Sequence, residues 1–335
     1  MNGRIEHDTK IYKEIEQNLR FYPDFVARWY YNLKANKKTA TTCRDFMTKM
    51  RKFLVSINPQ VRQIQISDIT SEKIVDYFIS IQYKANGKET SDSYKQGVWT
   101  CLNNFSEYLE DMELIDKNLL KQAHVKKPTN KDLMRINQER KYLTKDDFKK
   151  IIDCVKSGTG TGKTLKYQEK YRYRDLCIMT LFLTTGMRCA ALQSINLEDV
   201  DVKSKTLIIV DKGHIYHEYP LSDEFIIYYN KWVFDRFFLL KGKKVDALFI
   251  SRTRERISTD GIADLVDKYA REALGYHISP HKLRGGFVSI MYNETHDIEF
   301  TRRVVGHANI ATTQRYISTD NSERNKALDI MKNII

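Results

Sequence analysis

Four short stretches of this chain gather cations around one tyrosine. They are TTGMRCAAL with Arg188, DKGHIYHEYPL with Lys212, HKLRGGF with His281 and Arg284, and VVGHANIATTQRYI with His307 and Tyr316. Singly, each has an ordinary reading: Arg188 pairs with a surface acid, Lys212-Gly213 is a hairpin turn, His281 caps the helix it begins, and Tyr316 belongs to a core. Together they supply what cleavage of a phosphodiester requires without a metal ion. The transition state gathers negative charge on the non-bridging oxygens, which two planar guanidinium groups can hold bidentately. Imidazoles donate to the same oxygens or carry a proton, and a lysine protonates the departing alkoxide. A phenol, with a pKa near ~10, is a poor nucleophile until such a site stabilises its anion. Its attack leaves a covalent phosphotyrosyl link that conserves the bond energy. None of the four stretches itself contains an acidic pair of the D-x-D kind, so they do not obviously require Mg²⁺ and no cofactor is expected.

These groups need a scaffold, and apolar spacing predicts a largely helical one. Between residues 21 and 120 the chain reads as several helices. The stretch from Thr39 to Ile57 places Phe46, Met50, Phe53, Leu54 and Ile57 on one face, with Arg44, Lys49, Arg51 and Lys52 largely elsewhere. Ser91 to Leu109 aligns Val98, Leu102, Phe105 and Leu109, with Lys95 and Gln96 near its start. Such basic, amide-bearing faces are either solvated or laid in a DNA groove, and Arg44, Lys49, Lys95 and Gln96 are the candidate contacts. The basic stretch from His124 to Thr144, with Pro128 and no sustained apolar face, reads as a linker. A second domain begins at Tyr142. It is mostly helical, opening with a Thr144/Asp147 start signal ahead of Phe148, Ile151, Ile152 and Val155. One interruption stands out: Thr206 to Val210 is β-branched and apolar, Asp211-Lys212-Gly213 supplies a turn, and Ile215 to Leu221 returns as a second strand. The expected fold is therefore mainly α with a small β-sheet.

The segment SGTGTGKT, from Ser157 to Thr164, resembles a phosphate-binding loop, but that loop needs a glycine where Ser157 stands and a buried strand ahead of it. An amphipathic helix precedes it instead. The flexible stretch from 157 to 174 is then either a solvated insertion or a backbone contact to DNA through Lys163, Lys166 and Arg172. The chain's 335 residues suggest two domains. With 56 Lys and Arg against 43 Asp and Glu, its net charge of +13 points to a polyanionic partner, nucleic acid above all, and the interspersed charge speaks for a folded binder rather than a basic tail. Cys43, Cys101, Cys154, Cys177 and Cys189 form no C-x-x-C pair, which argues against a zinc site or a disulfide framework. The charged N-terminus is unlike a signal peptide and no apolar run reaches the ~18 residues of a membrane span, so no membrane partner and a cytoplasmic, nucleoid-associated location are expected.

The order Arg, Lys, His-x-x-Arg, His, Tyr resembles that of the tyrosine recombinase family, the integrases and Xer-type site-specific recombinases. TTGMR looks like the family's first arginine motif, DKG with the following YPL like its β-hairpin motif, HKLR like H-x-L-R, and GHANIATTQRY like its histidine and tyrosine motif. The match covers residues 142 to 335, and the helical N-terminal region is similar, less specifically, to the family's core-binding domain. The resemblance implies that Tyr316 attacks the scissile phosphate to form a 3′-phosphotyrosyl enzyme and free a 5′-hydroxyl. Arg188 and Arg284 would clamp the non-bridging oxygens, with a hydrogen bond from His307. Lys212 would act as general acid toward the 5′ oxygen, and His281 would assist proton transfer. The chain departs from the family at Ala191, where an acid is usual, and at Gly285-Gly286, where H-T or H-A is common after the second arginine.

The resemblance also implies an organisation: a helical core-binding domain at 1–124, a linker at 125–141, a mostly helical mixed α/β catalytic domain at 142–320, and a C-terminal helix at 321–335. The last carries Ala327, Leu328, Met331, Ile334 and Ile335 in a stripe and would be exchanged between subunits. The expected partners are double-stranded recombination sites, on which four copies of an otherwise monomeric chain synapse, with accessory DNA-bending or directionality factors. The expected task is that of the integrase or transposase of a mobile element, or of a Xer-like resolvase. Two rivals stand beside it: a related type IB topoisomerase or telomere resolvase, and a catalytically inert DNA-binding regulator.

Overall fold

The computed structural model describes residues 3–129, 143–160, 162–211, 215–306 and 310–314. Two compact units make up the chain, Ile5–Leu133 and Met134–Ile335, the latter with Met1–Arg4.

The first unit is helical: α1 (Gly3–Asn18), α2 (Asp24–Ala35), α3 (Ala40–Ile57), α4 (Ser71–Ser80), α5 (Asp92–Asp111) and the single turn α6 (Leu119–Gln122). Side-chain caps set the starts of the long helices. The Thr39 hydroxyl accepts from the Thr42 N–H, and the Ser91 hydroxyl from the Tyr94 N–H, so α3 and α5 begin one residue after the positions read as their starts. Phe46, Met50, Phe53 and Leu54 of α3, and Val98, Leu102, Phe105 and Leu109 of α5, are buried, each worth roughly 1.5–3 kcal/mol of transfer free energy. Between them lies Trp29 of α2, stacked on Phe46 at 6.0 Å and edge-on to Phe105 at 5.1 Å. Its indole N–H donates to Asn104 Oδ1 at 3.0 Å, which satisfies the one polar atom of the ring. The first residues of the stretch read as a linker are held on α5: Trp99 Nε1 donates to the Val125 carbonyl at 2.9 Å, and Gln96 Nε2 to the Pro128 carbonyl at 2.6 Å. The remainder, 130–142, lies outside the described residues.

The second unit contains α7 (Lys145–Ser157), α8 (Gly162–Thr185), α9 (Cys189–Ser194), a sheet, α10 (Asp223–Leu240), α11 (Thr259–Leu274), α12 (Pro280–Thr295), α13 (Ile298–Val305) and the short α14 (Ile310–Gln314). Thr144 and Asp147 form a reciprocal capping box at the start of α7. The sheet is antiparallel in the order β1 (Val200–Asp201), β2 (Thr206–Asp211), β3 (Ile215–Pro220). In the β2–β3 hairpin Leu207 faces Tyr219 and Ile209 faces His217, so these four side chains share one face. Leu207, Ile209 and Tyr219 are buried, which makes it the inner face. Ile208 and Tyr216, on the alternate positions, are exposed. Helix α8 runs through the centre, packed on α7, α10 and α12.

The glycine-rich segment is not a phosphate loop. It follows helix α7, which ends at Gly158 in a positive-φ conformation (φ 80°). Gln168 then ties the turn down, accepting from the Thr159 N–H and donating to the Thr159 hydroxyl, both at 2.7 Å. Nor is the stretch to residue 174 a flexible insertion, because α8 begins at Gly162 and continues unbroken to Thr185. The tyrosines that give it a loop-like composition are packing groups: Tyr171 lies 6.2 Å from Trp232, and the Arg174 guanidinium covers Tyr171 at 4.4 Å while donating to the Ile250 carbonyl at 2.8 Å. Among the described residues no helix is long and apolar enough to cross a membrane.

Candidate active site

The end of α8 sets the first arginine. The Thr185 hydroxyl donates to the Leu181 carbonyl at 2.6 Å and accepts from the Met187 N–H at 3.2 Å, closing the helix. Gly186 then turns the chain at a positive φ of 59°, under the ring of Phe287. A methyl group there would lie 2.4 Å from Phe287 Cδ1, so only glycine fits. Arg188 follows as the residue that caps α9, half-buried and extended.

The second arginine comes from α12. Ser279 caps that helix and Pro280 opens it, so His281 lies in the first turn, exposed, and Arg284 one turn further on, buried at 4% exposure. Arg284 Nη1 donates to the Gly186 carbonyl, and Nη2 donates to the Val305 carbonyl at 2.6 Å. Arg188 Nη2 donates to the Gly306 carbonyl at 3.3 Å. The two guanidinium groups therefore hold consecutive carbonyls at the C-terminal end of α13. Unpaired carbonyls and the negative end of the helix dipole favour cations there. Gly306 caps α13 in the left-handed region (φ 64°, ψ 45°), and His307 follows it in sequence.

The departures from the family pattern have local explanations. Ala191 is buried at 1% exposure inside α9, and a backbone carbonyl, Gly306, receives Arg188. Gly286 lies where α12 crosses the start of the unit: a methyl group would come within 2.8 Å of Leu143 Cβ and 3.1 Å of Phe148 Cε1. The cysteine beside Arg188 is no competing nucleophile, since burial, with the nearby Asp260 carboxylate, pushes the Cys189 thiol up to about 12. Burial likewise raises the thiols of Cys43, Cys101, Cys154 and Cys177.

Of the residues singled out from sequence, Arg188 and Arg284 are brought to one helix end, and His281 sits on the first turn of the helix that carries Arg284. Lys212, His307 and Tyr316 lie outside the described residues, and nothing is described of the Lys163 side chain. The DNA-contact candidates fall into two groups. Arg44 is exposed, on a groove of the first unit shared with Arg51, Lys52 and Phe21, and Lys166 is exposed on α8. The others are engaged within the chain: Lys49 is buried and paired with Asp45, Lys95 is buried and paired with Glu89 at 3.0 Å and Asp92 at 3.3 Å, Gln96 holds Pro128, and Arg172 pairs with Glu169 at 3.9 Å. Sequence reading missed His217. Its inward position is the alternation of the strand that carries Tyr219 and Ile215, a signal present in HIYHEYP.

The model of the phage integrase family matches residues 141–323. The chain belongs to this family. As a phage integrase family member it is a tyrosine recombinase, an enzyme that cuts and rejoins DNA. It is similar to the tyrosine recombinase XerC of Psychromonas ingrahamii, 28% identical over 232 residues, 69% of this chain and 71% of that protein. Its fold is that of XerH site-specific recombinase in a pre-cleavage complex with a difH substrate (TM-score 0.62, 18% identity, 89% of this chain and 81% of that one). It is also that of a lambda integrase tetramer bound to a Holliday junction (TM-score 0.59, 17% identity, 88% and 76%).

Proposed function

We propose that the chain performs site-specific recombination through a 3′-phosphotyrosyl intermediate formed at Tyr316, with residues 1–124 as the core-binding domain and 142–320 as the catalytic domain. The observation that carries this reading is the convergence of Arg188 and Arg284 on the carbonyls of Val305 and Gly306, immediately ahead of His307. Two guanidinium groups drawn to one point form a ready receptor for a phosphate whose charge grows during reaction. In this reading Tyr316 Oη forms a bond to phosphorus as the P–O5′ bond breaks. Arg188, Arg284 and His307 hold the non-bridging oxygens, His281 takes part in moving the phenol proton, and Lys212 delivers a proton to the departing 5′ oxygen. A 5′-hydroxyl of a partner strand then attacks the phosphotyrosine, forming a new P–O5′ bond as the bond from phosphorus to Tyr316 Oη breaks and the phenol regains its proton, so exchange needs no ATP. Duplex DNA is the substrate. The lambda integrase tetramer on a Holliday junction supports a tetramer on synapsed sites, and the apolar stripe at 321–335 suits exchange between subunits. The exposed Arg44, with Arg51 and Lys52 beside it, suits the phosphate backbone.

The test uses duplexes selected for binding from a random library, one labelled and one not. Mixed with the protein in EDTA and without ATP, they are expected to yield four-way junctions and exchanged products, and Tyr316→Phe none. Binding without cleavage or exchange on any selected site identifies an inert regulator. Relaxation of supercoils with no joining between duplexes identifies a topoisomerase.

A further inference from the structure

We infer that His217 is a positioning residue that locks the lysine-bearing β2–β3 hairpin onto the arginine pocket, using the missing side chain of Gly306 as its seat. The inference rests on the reading of Lys212 as general acid. A methyl group on Gly306 would lie 2.9 Å from His217 Cε1 and 3.6 Å from each ring nitrogen. The imidazole thus lies against the glycine α-carbon and occupies the space where any other residue would carry its Cβ. Gly306 is held in the left-handed region, which admits glycine most readily, and its carbonyl is the one that Arg188 reaches.

His217 is itself fixed. It stands opposite the buried Ile209 in the hairpin register and stacks on Tyr219 at 6.0 Å with 29° between the planes. Residues 212–214 are the connection between its strand and β2. One ring contact therefore joins the strand pair that flanks Lys212 in sequence to the turn that receives Arg188 and precedes His307 in sequence. The hairpin and that turn come from distant parts of the sequence, so their alignment depends on such contacts. Misplacement of a reacting group by about 1 Å costs on the order of 100-fold in rate.

The test separates loss of lysine alignment from general damage. A nicked cognate duplex is prepared twice, once with the ordinary 5′-bridging oxygen at the scissile phosphate and once with sulfur in its place. A thiol is far more acidic than an alcohol, so the sulfur leaves as thiolate without a proton from the enzyme. For His217→Ala the first-order rate of covalent adduct formation is expected to fall on the order of 100-fold with the oxygen substrate and to stay within about threefold of wild type with sulfur. His217→Gln, of similar reach, is expected to fall less with oxygen. Both substrates are read with one preparation, so their ratio is independent of the fraction folded. Lys212→Ala is the control for the underlying reading and should show the same rescue by sulfur. If Lys212→Ala is rescued and His217→Ala is equally slow on both substrates, or unimpaired on both, the role of His217 is overturned alone. If Lys212→Ala is not rescued, the lysine assignment falls and this inference falls with it.

Discussion

Arg284 reaches carbonyls of two different elements, Gly186 after α8 and Val305 at the end of α13, with one planar group. A lysine ammonium is a compact charge on a flexible stem and cannot reproduce that fork. Arg284→Lys is therefore expected to keep DNA binding within a few-fold while slowing covalent adduct formation by about 10²–10³-fold, the loss that follows removal of one preorganised donor to a developing oxyanion. Single-turnover cleavage of a nicked duplex measures it, and an unchanged rate would remove Arg284 from the phosphate clamp. The types and order of these residues were legible in sequence because the chemistry demands side chains. Their partners were not, since a backbone carbonyl such as Val305 or Gly306 leaves no trace in residue identity. The same limit explains Lys49, midway along α3, and Lys95, in the first turn of α5, whose burial against Asp45, Glu89 and Asp92 is decided by packing.

Helix α12 delivers Arg284 only because it can approach α7 closely. At Gly286 the helix gives up roughly 1 kcal/mol of propensity relative to alanine, yet a Cβ there would press on Leu143 Cβ at 2.8 Å, a backbone-proximal atom that cannot swing aside. The clash costs about 1–3 kcal/mol and outweighs the gain. Gly286→Ala should lower the unfolding midpoint, read by circular dichroism, and reduce cleavage through displacement of α12; a raised midpoint would contradict the packing account. The helices α3, α5 and α7 were legible from Thr39, Ser91 and the Thr144/Asp147 pair, because caps are local chemistry. The first turns of α8 were not. Gly162 at the start, Gly158 and Gly160 just ahead of it, and a run of polar and tyrosine residues read as a loop, and only the packing of Tyr171 and Arg174 against Trp232 and Ile250 shows why the segment is helical.

For the molecule as a whole, a net charge of +13 and a phosphate-seeking site predict binding dominated by counterion release. If about six or more phosphates are neutralised, affinity for a duplex should fall by roughly 10³-fold or more between 50 and 200 mM salt. Fluorescence anisotropy measures the slope, and a nearly flat dependence would contradict a backbone-tracking surface. The decisive claim is that a tyrosine, rather than a metal-activated water, breaks the phosphodiester. Mass spectrometry of the protein after reaction with a nicked duplex in EDTA tests it most directly. The expected result is a peptide carrying a 3′-linked oligonucleotide on Tyr316 and a freed 5′-hydroxyl. Cleavage that leaves no covalent adduct, or an adduct on any other residue, would contradict it.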